Sequence, residues 1–562
     1  MKTYPRFFSL GLSLAALLLL SGARALAVAG GPPDRVARLA QIAAHVSLEP
    51  AGTNQWTAAV PNTPLTTGDR LYVDRQGHAE LQMGQLSVRA WRYTDLTVAN
   101  LSNDTTQLAI AQGSLHVRTF ALGPKDHVEV DTPNGAITAM QPGDFRVDVY
   151  MADGGTLVTV DSGEIQIGGP NLSKVLGAGE CVHLVGVNPI QVLTQPMPGK
   201  DPFDIWSLQR DRAFLSSQSR RYVNPNTVGF DDLDSNGTWK QTLEYGPVWY
   251  PSNVPAGWSP YSNGRWAWVA PWGWTWVDAD AWGFAPFHYG RWTDLGSRWG
   301  WIPGPSGVSP VYAPAMVAFV GGASFSGAGG TPLSGWFPLG AGEPFYPSYF
   351  CTPRYFTQVN LTNMRDGLSS RRAIDASNYY RYYHTQVGFR SIRYVNRKAG
   401  TIAVPSNELA SGHRTMPDTA VHPTVQQWAS ARVLSHPMVA PTLQSLLPHL
   451  VATVAVPTER PPVIVALKPA ITVQPSSVLG GSSQGQSDGK FRLIARTPPA
   501  VAGPAFERQL PALSQDPGRP LDPIQVNNLA HGRPAGSANT REFPPSTSSS
   551  PRAAVRRTGG KK

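Results

Sequence analysis

The stretch "GRWAWVAPWGWTWVDADAWGFAPFHYGRW" (264–292) contains seven of the seventeen tryptophans of this 562-residue chain. The stretch contains the second of three similar units and the start of the third. The units begin at Gly237 ("GTWKQTLEYGPVWYP"), Gly264 ("GRWAWVAPWGWTWVD") and Gly290 ("GRWTDLGSRWGWIPG"). Each unit reads Gly-x-Trp, then an aromatic-rich Gly turn, then a second segment that carries Trp. Such repetition is typical of one supersecondary unit used several times. The sequence therefore predicts a repeat of antiparallel strand pairs.

Two interpretations of these indoles stay open. A short strand pair has little interior, and one Trp buries about 150–250 Å², so the rings suit a core that Leu or Val would not fill. Aromatic faces also bind sugars and quaternary ammonium groups. Trp272, Trp274 and Trp276 alternate, and on one strand they would form a continuous ladder on one face. We predict core first and ligand platform second, with these ligand-binding candidates: Trp266, Trp272, Trp274, Trp276 and Trp292.

Charged residues flank the rings without forming a catalytic pattern. Arg265 and Arg291 each precede a Trp and are expected to stack on neighbouring rings. A glycosidase needs two carboxylates about 5–10 Å apart across a cleft, and sequence alone does not show such a pair. The remaining ionisable groups near the rings are expected to be solvated or structural: Asp278, Asp280, His288 and Asp294.

Known catalytic and cofactor motifs are missing or out of context. The chain lacks His-Glu-x-x-His, Gly-x-Gly-x-x-Gly and Cys-x-x-Cys patterns. Gly-x-Ser-x-Gly occurs at 481–485, in a Gly/Ser-rich segment where the strand and helix that flank a nucleophile are not expected. We therefore predict no catalytic residue, no metal site and no cofactor, and we do not expect an enzyme.

Residues 34–195 read as short strands separated by Gly, Asp and Pro. In "DFRVDVY" (144–150), for example, Phe145, Val147 and Val149 share one face and polar residues the other. This alternation is typical of half-buried strands. Regular spacing with turn residues between strands predicts an all-β domain, with a sandwich, a roll and a short solenoid as alternatives.

Three segments of this domain carry a family resemblance: "PLTTGDRLYVDRQGHAELQM" (64–83), "LAIAQGSLHVRTF" (108–120) and "HVEVDTPNGAITAMQPGDFRVDVYMADGGTLVTVDSGEIQIGG" (127–169). Their turn and strand motifs resemble, in order, those of the FecR-type β domain. The resemblance implies the fold of that domain. FecR itself is a membrane-spanning regulator that signals to a sigma factor. We do not expect its cytoplasmic helical region or its full-length span in this chain, so only the β domain is carried over.

The Trp-rich run from Tyr245 to Pro305 is similar to a domain of unknown function in exported bacterial proteins, where it often follows a FecR-type domain. Residues 334–364 and 394–412 resemble the continuation of that domain. The resemblance implies no activity, because the family has none assigned. We therefore expect a Trp-rich antiparallel β repeat module over 233–364, with an extension over 365–414.

The first 27 residues have the features of a signal peptide. Lys2 and Arg6 precede an apolar run from Phe7 to Leu20, which is shorter than the about 20 residues that a membrane span needs. Ala25-Leu26-Ala27 supplies the small-x-small pattern that signal peptidase requires. These features predict a periplasmic or secreted protein, and leave open whether the segment is cleaved or kept as an anchor.

Residues 203–232 predict a linker containing a helix, on which these apolar residues share a face: Ile205, Leu208, Ala213 and Leu215. Residues 415–562 are rich in Pro, Ser and basic residues and predict a largely disordered tail, because they offer little to offset ordering entropy. Most of the net charge of +10 lies there. This charge favours contact of the tail with anionic surfaces. It does not favour nucleic-acid binding, which requires a basic stripe on a folded module.

The chain has two cysteines, Cys181 and Cys351, in different modules. An oxidising compartment permits a disulfide between them. Two unpaired and partly buried thiols are the preferred interpretation, and pairing stays the alternative.

Three functions are compatible with the sequence. The first is an exported structural or binding protein of the cell envelope that presents its β modules to a cell-wall polysaccharide or an envelope protein. The second is a FecR-like sensor or regulator in envelope signalling. The third is a carbohydrate-active enzyme. The sequence does not fix the oligomeric state.

Overall fold

A computed structural model describes residues 31–150, 154–296, 298–322, 325–365, 392–417, 424, 427, 431–447, 456–457, 463–465 and 492–536. The chain is mainly β, as predicted, with an N-terminal β domain followed by a Trp-rich strand module. The expected signal segment, residues 1–27, lies outside the described residues. Within the described part of the chain, no helix is both long and apolar enough to cross a membrane.

The N-terminal domain is built from short strands joined by tight turns. In chain order they are β1 (Ala37–Ala43), β2 (Val46–Glu49), β3 (Thr57–Ala58), β4 (Pro64–Leu65), β5 (Arg70–Val73), β6 (His78–Gln82), β7 (Leu86–Ala90), β8 (Asp95–Leu101), β9 (Thr105–Thr119), β10 (His127–Thr132), β11 (Gly135–Ala139), β12 (Gly143–Val149), β13 (Thr156–Ser162), β14 (Glu164–Gly169), β15 (Leu172–Gly177), β16 (Cys181–Val185) and β17 (Gln191–Gln195).

These strands form two open sheets that share the long strand β9. Sheet A has the order β4-β1-β6-β7-β9-β12-β13-β16-β17, and sheet B the order β3-β2-β5-β8-β9-β10-β11-β14-β15. Strand β9 changes sheets near Gly113, whose φ of +94° and contact with the Thr94 backbone leave no room for a side chain. Apolar residues from both sheets make one core. Of the predicted alternatives, this arrangement corresponds to the sandwich.

The outer face of sheet A is charged, and helix α1 (Pro202–Ser216) covers it. A helix therefore forms in the predicted linker segment, but Ile205, Leu208 and Leu215, which the sequence places on one apolar face, are exposed. The buried positions are Phe203, Asp204, Ser207, Asp211 and Phe214. The reason is electrostatic, because arginines and a histidine on the sheet pair with the carboxylates of Asp204 and Asp211 on this face.

We call the contact between sheet A, α1 and residues 230–236 the polar junction. Glu80 joins two arginines, with Oε1 3.0 Å from Arg89 Nε and Oε2 2.6 Å from Arg210 Nε. Arg89 Nη1 also lies 2.7 Å from Asp211 Oδ1. The short helix α2 (Leu233–Asn236) forms the end of the 230–236 segment.

Arg38 of β1 extends the polar junction into the Trp-rich module. Its Nη1 lies 2.5 Å from Asp232 Oδ2, and its Nη2 donates to the carbonyl oxygen of Ala281 at 2.8 Å. Asn62 accepts two more of its hydrogen bonds. The two β modules are therefore joined by a buried, fully bonded guanidinium.

The Trp-rich module contains the three predicted strand pairs: β18 (Gly237–Thr242) with β19 (Gly246–Pro251), β20 (Gly264–Val269) with β21 (Gly273–Asp278), and β22 (Arg291–Asp294) with β23 (Trp299–Ile302). Each pair places two tryptophans opposite each other: Trp239 and Trp249, Trp266 and Trp276, Trp292 and Trp301. The first and third pairs form one four-stranded sheet. The repeat seen in the sequence is thus a repeat of antiparallel hairpins.

The glycine that begins each hairpin lies beneath a tryptophan of the second strand. A Cβ built on Gly264 would lie 2.6 Å from the Trp276 ring, and one on Gly290 would lie 2.6 Å from Trp301 Nε1. Gly237 is in the same way covered by the Trp249 ring. The Gly-x-Trp pattern is therefore a packing requirement of the hairpin.

A second part of the module surrounds these hairpins. It contains α3 (Ala285–His288), β24 (Val317–Gly321), β25 (Leu333–Pro338), α4 (Pro353–Leu361), β26 (Ile402–Pro405), α5 (Ser406–Ala410), β27 (Arg414–Thr415) and β28 (Arg432–Leu434). Strands β26, β25, β24 and β28 form a four-stranded sheet, and β27 pairs with β20. The predicted extension therefore contributes β26 to this sheet, while β27 lies at its boundary with the predicted tail and β28 lies within that tail.

Parts of the predicted tail are ordered in the structure. They form α6 (Leu443–Leu446), β29 (Val463–Val465), β30 (Leu493–Ala495), α7 (Phe506–Leu513) and α8 (Pro523–Ala530). Strand β30 docks on β10 of sheet B, while Phe506 and Leu513 of α7 enter the tryptophan core. The prediction of disorder is therefore wrong for β30 and α7, which bury apolar residues against the two modules. Residues 537–562 lie outside the described part.

Cys181 and Cys351 form no disulfide with each other, and both side chains are buried. Cys181 Sγ lies 3.5 Å from Thr159 Oγ1 in sheet A. The preferred interpretation of two thiols agrees with the structure, although they are buried fully and not partly.

Gly264→Ala is expected to destabilise the module by about 1–3 kcal/mol, because the new Cβ meets the Trp276 ring and the Val277 carbonyl oxygen. Chemical denaturation followed by tryptophan fluorescence measures the loss. Gly307→Ala is the matched control, since a Cβ there meets nothing within 4 Å. Equal stability of the two variants would contradict the packing requirement.

Candidate functional site

The five predicted ligand-binding tryptophans lie in the core of the module. None of them exceeds 4% exposure: Trp266, Trp272, Trp274, Trp276 and Trp292. Trp266 packs edge-on against Trp276, with ring centroids 5.5 Å apart, and both contact Trp336. These rings therefore offer no open face, and their role in ligand binding stays a prediction.

The predicted continuous ladder of Trp272, Trp274 and Trp276 is wrong. Strand β21 begins only at Gly273, whose φ of +80° interrupts the extended backbone after Trp272. Trp272 lies in the turn and contacts the Tyr312 ring at 4.9 Å. The pairs that do form run across the hairpin, where Trp274 faces Trp268 as Trp276 faces Trp266.

Hydrogen bonds of the indole N–H groups fix several of these rings. Trp292 Nε1 donates to the carbonyl oxygen of Pro286 at 2.8 Å, and Trp301 Nε1 donates to that of Tyr289 at 2.8 Å. Trp274 Nε1 donates to the carbonyl oxygen of Val439 in the predicted tail. A buried indole needs such an acceptor, so the rings are oriented by the backbone around them.

The ionisable groups near the rings have structural roles. Asp278 is buried and accepts hydrogen bonds from Trp276 Nε1 at 2.9 Å and from the Asp280 backbone N–H at 3.0 Å. Burial and the nearby Asp280 raise the pKa of Asp278 well above its usual range. His288 is also buried, which lowers its pKa to about 3, and its Nδ1 lies 2.9 Å from the Ala313 carbonyl oxygen. Asp294 is exposed at the end of β22.

Sequence reasoning missed a cluster of ionisable groups where α1 meets sheet A. His116 Nδ1 lies 2.7 Å from Asp144 Oδ1, and its Nε2 lies 3.3 Å from Asp204 Oδ1 and 4.0 Å from Asp161 Oδ2. The alternation of Asp144, Arg146 and Asp148 along β12 was the available signal. The sequence predicts only a half-buried strand there, because no residue pattern shows that α1 covers its polar face.

Three groups of this cluster, on His116, Asp144 and Asp161, have ligand atoms within 4.8 Å of one another, which is close enough to hold a metal ion. The protein's own cations already contact the neighbouring carboxylates. Arg146 Nη1 lies 3.1 Å from Asp204 Oδ1, and Lys200 Nζ lies 2.5 Å from Asp161 Oδ1. These contacts favour a structural ion-pair network over a metal centre.

The charge state of His116 follows from its surroundings. Burial lowers its pKa, but the contacts with Asp144 and Asp204 outweigh burial and raise the pKa to about 9. The same contact, together with Arg146, lowers the pKa of Asp204. At neutral pH the cluster is therefore an imidazolium between carboxylates, and it holds α1 on the sheet.

Comparison with known families gives one match. Residues 230–343 match a family of unknown function, DUF6600, a span from the segment before the first hairpin to just beyond β25. This module, which is less than half of the chain, is therefore similar to that family. Of the expected continuation over residues 334–364 and 394–412, only residues 334–343 lie within the match. No curated protein matches the chain.

Solved structures with some likeness include two of a proposed anti-sigma factor from Parabacteroides distasonis. One has 16% identity and a TM-score of 0.21, and the alignment covers 26% of this chain and 63% of that one. The other has 15% identity and a TM-score of 0.21, with coverage of 29% and 73%. At these TM-scores the likeness supports no inference about the fold or function of this chain.

Replacing Trp276 by Ala is expected to cost about 3–5 kcal/mol, because the ring is fully buried. Binding to cell-wall polysaccharide and unfolding should be measured on the same variant. Trp239→Ala in the first hairpin is the matched control, since its ring is only partly buried and a smaller loss is expected. A Trp276→Ala chain that keeps its fold but loses polysaccharide binding would assign this ring to a ligand site.

The His116 network predicts a loss of stability in mild alkali. The folded pKa of about 9 exceeds the ordinary value of about 6.5, so the contribution is complete below pH about 6.5 and disappears as the pH rises through about 9. The free energy of unfolding should fall by on the order of 1–3 kcal/mol across this window. His116→Gln, measured in parallel, should lack this part of the fall; identical pH profiles would refute the assignment.

Proposed function

We propose that this chain is an exported cell-envelope protein that acts as a scaffold and presents its β modules to a partner, without catalysis of its own. The observation that carries the proposal is the polar junction. Arg38 and Arg210 tie the N-terminal domain to the segment before the first hairpin through Asp231 and Asp232. A chain that buries so many charges between its modules is suited to hold two surfaces in a fixed relation.

The surface offered to a partner is better sought in the sheets than in the rings. Within the described residues β17 pairs only with β16, so its other edge presents unpaired backbone groups. The strand contains neither charge nor proline, and Leu193 and Met197 are exposed. Such an edge accepts an extended segment of another protein. This feature favours an envelope protein over a polysaccharide as the partner.

The FecR-type resemblance supports a second candidate, a sensor in envelope signalling. Its motif glycines lie at turns with positive φ: Gly68 at +97°, Gly135 at +155° and Gly163 at +80°. Asp69, next to Gly68, accepts hydrogen bonds from the Thr66 and Ala51 backbone N–H groups. The conformations of these glycines and the hydrogen bonds of Asp69 support a structural role for the FecR-type motif. A role in signalling requires a membrane partner, which is the point to test.

We further propose that the basic tail contacts anionic surfaces. Its last residues, 537–562, contain several Arg and Lys and lie outside the described part. Attraction of this kind weakens as salt is added.

The test uses the full chain expressed with its N-terminal segment in a bacterium. We expect mass spectrometry of the envelope fraction to find a mature N-terminus near Val28 or Gly30. Leu193→Lys is expected to weaken retention by detergent-extracted envelope proteins about tenfold. Val175→Lys on β15 is the matched control, because that side chain is equally exposed but lies on the edge of the other sheet.

Two outcomes decide against the scaffold proposal. One is a chain that stays in the cytoplasm with Met1 intact. The other is retention that Leu193→Lys and Val175→Lys reduce equally. Retention on cell-wall polysaccharide alone would replace the protein partner by a polymer.

A further inference from the structure

A small cavity lies where the N-terminal domain, the second hairpin and the tail meet. Its volume is about 60 Å³. Residues from all three parts line it, among them Leu48, Asp69, Arg265, Trp268, Leu446 and Phe506. The cavity is therefore completed only when the modules and the tail are assembled.

Arg265 is the unusual residue of this cavity. Its side chain is about nine-tenths buried, and neither Nε nor Nη1 has a hydrogen-bond partner among the described residues. None of the ion pairs in the described part of the chain involves Arg265. Burial lowers the pKa of Arg265 only to about 10, so the guanidinium stays charged at neutral pH. A buried charge without a partner is costly, and such groups are normally paired.

The third hairpin supplies an internal comparison. Arg291 occupies the same Gly-Arg-Trp position and is also buried, but its guanidinium is surrounded by acceptors. Nε donates to the Glu343 carbonyl oxygen at 3.0 Å, and Nη1 donates to those of Gly290 at 2.8 Å and Asn363 at 3.2 Å. The expected stacking of these two arginines on rings is wrong, because no cation–π contact of the described residues includes either. Arg291 of the third hairpin is therefore hydrogen-bonded within the protein. In the second hairpin, Nε and Nη1 of Arg265 have no partner among the described residues and lie beside the cavity.

We propose that the cavity binds a small carboxylate, with the guanidinium of Arg265 as the group that recognises it. The planar fork of an arginine matches a carboxylate through two parallel hydrogen bonds. One water needs about 10–15 Å³ of such cavity volume, so about 60 Å³ limits the ligand to a carboxylate with a short chain. The rings of Trp268 and Phe506 and the side chain of Leu446 supply an apolar wall for that chain.

Asp69 also lines the cavity, but its charge is directed into its own turn. Oδ1 accepts from the Ala51 backbone N–H at 2.7 Å, and Oδ2 accepts from the Thr66 N–H at 2.6 Å and from Thr66 Oγ1 at 3.3 Å. Asp69 forms no ion pair with Arg265 in the described structure. The arginine is therefore left available to an external anion.

Calorimetric titration and thermal unfolding of the full chain with acetate and propionate test the proposal, with sodium chloride at equal ionic strength as reference. Millimolar carboxylate is expected to bind the wild type and to raise its Tm. Arg265→Met should lose binding at least about tenfold, and Arg265→Lys, which keeps the charge without the fork, should weaken it. The Arg265→Met chain should fold at least as stably as the wild type, because it removes an unpaired buried charge.

Arg291→Met is the matched control, and it should unfold at a lower temperature because its carbonyl acceptors lose their donor. The proposal is overturned by a wild type that does not respond to either carboxylate, or by an equal response of Arg265→Met. Tighter binding of inorganic phosphate than of acetate would overturn the assignment to a carboxylate. An Arg265→Met chain that fails to fold would show that the arginine serves the fold, which also contradicts the proposal.

Discussion

The Trp-rich module depends on the close contact between an indole and a glycine. In each hairpin the second-strand tryptophan lies over the glycine that begins the first strand, so neither residue has a substitute of similar shape. Because the rings bury the interior of very short strands, the module needs few aliphatic residues. This packing explains why the tryptophans recur at fixed positions, and it accounts for them without a ligand.

The second constraint is electrostatic and holds the two modules together. Sheet A presents arginines and His116 on its outer face, and these pair with Asp204 and Asp211 of α1 and with Asp232 of the following segment. Asp231 pairs with Arg210 of α1 itself. Removing one member of such a network leaves an uncompensated buried charge, which costs far more than the pair contributes. The network therefore fixes the geometry of the junction more than it raises its stability.

The sequence predicts the strands and hairpins that local residue patterns encode, but not the contacts that form only when these elements pack together. The alternation around Phe145 and the three Gly-x-Trp units were sufficient for the strands and hairpins. The buried face of α1 was not predictable from its apolar residues, because the partner surface is charged. The alternation of Trp272, Trp274 and Trp276 predicts one continuous strand, but the positive φ of Gly273 separates Trp272 from that strand. Arg265 and Arg291 share one sequence motif, so the sequence does not distinguish them. Only the structure shows that Arg291 is hydrogen-bonded whereas Nε and Nη1 of Arg265 have no partner among the described residues.

The docking of β30 on β10 links residues that are far apart in the chain. Glu129 accepts hydrogen bonds from the backbone N–H groups of Arg496 and Thr497, at 2.8 Å and 3.0 Å. Contacts of such long sequence separation form late. In a chain synthesised from its N-terminus, the end of β10 therefore lacks these contacts until residue 497 has been made. The first domain is thus completed only when nearly the whole polypeptide has been synthesised.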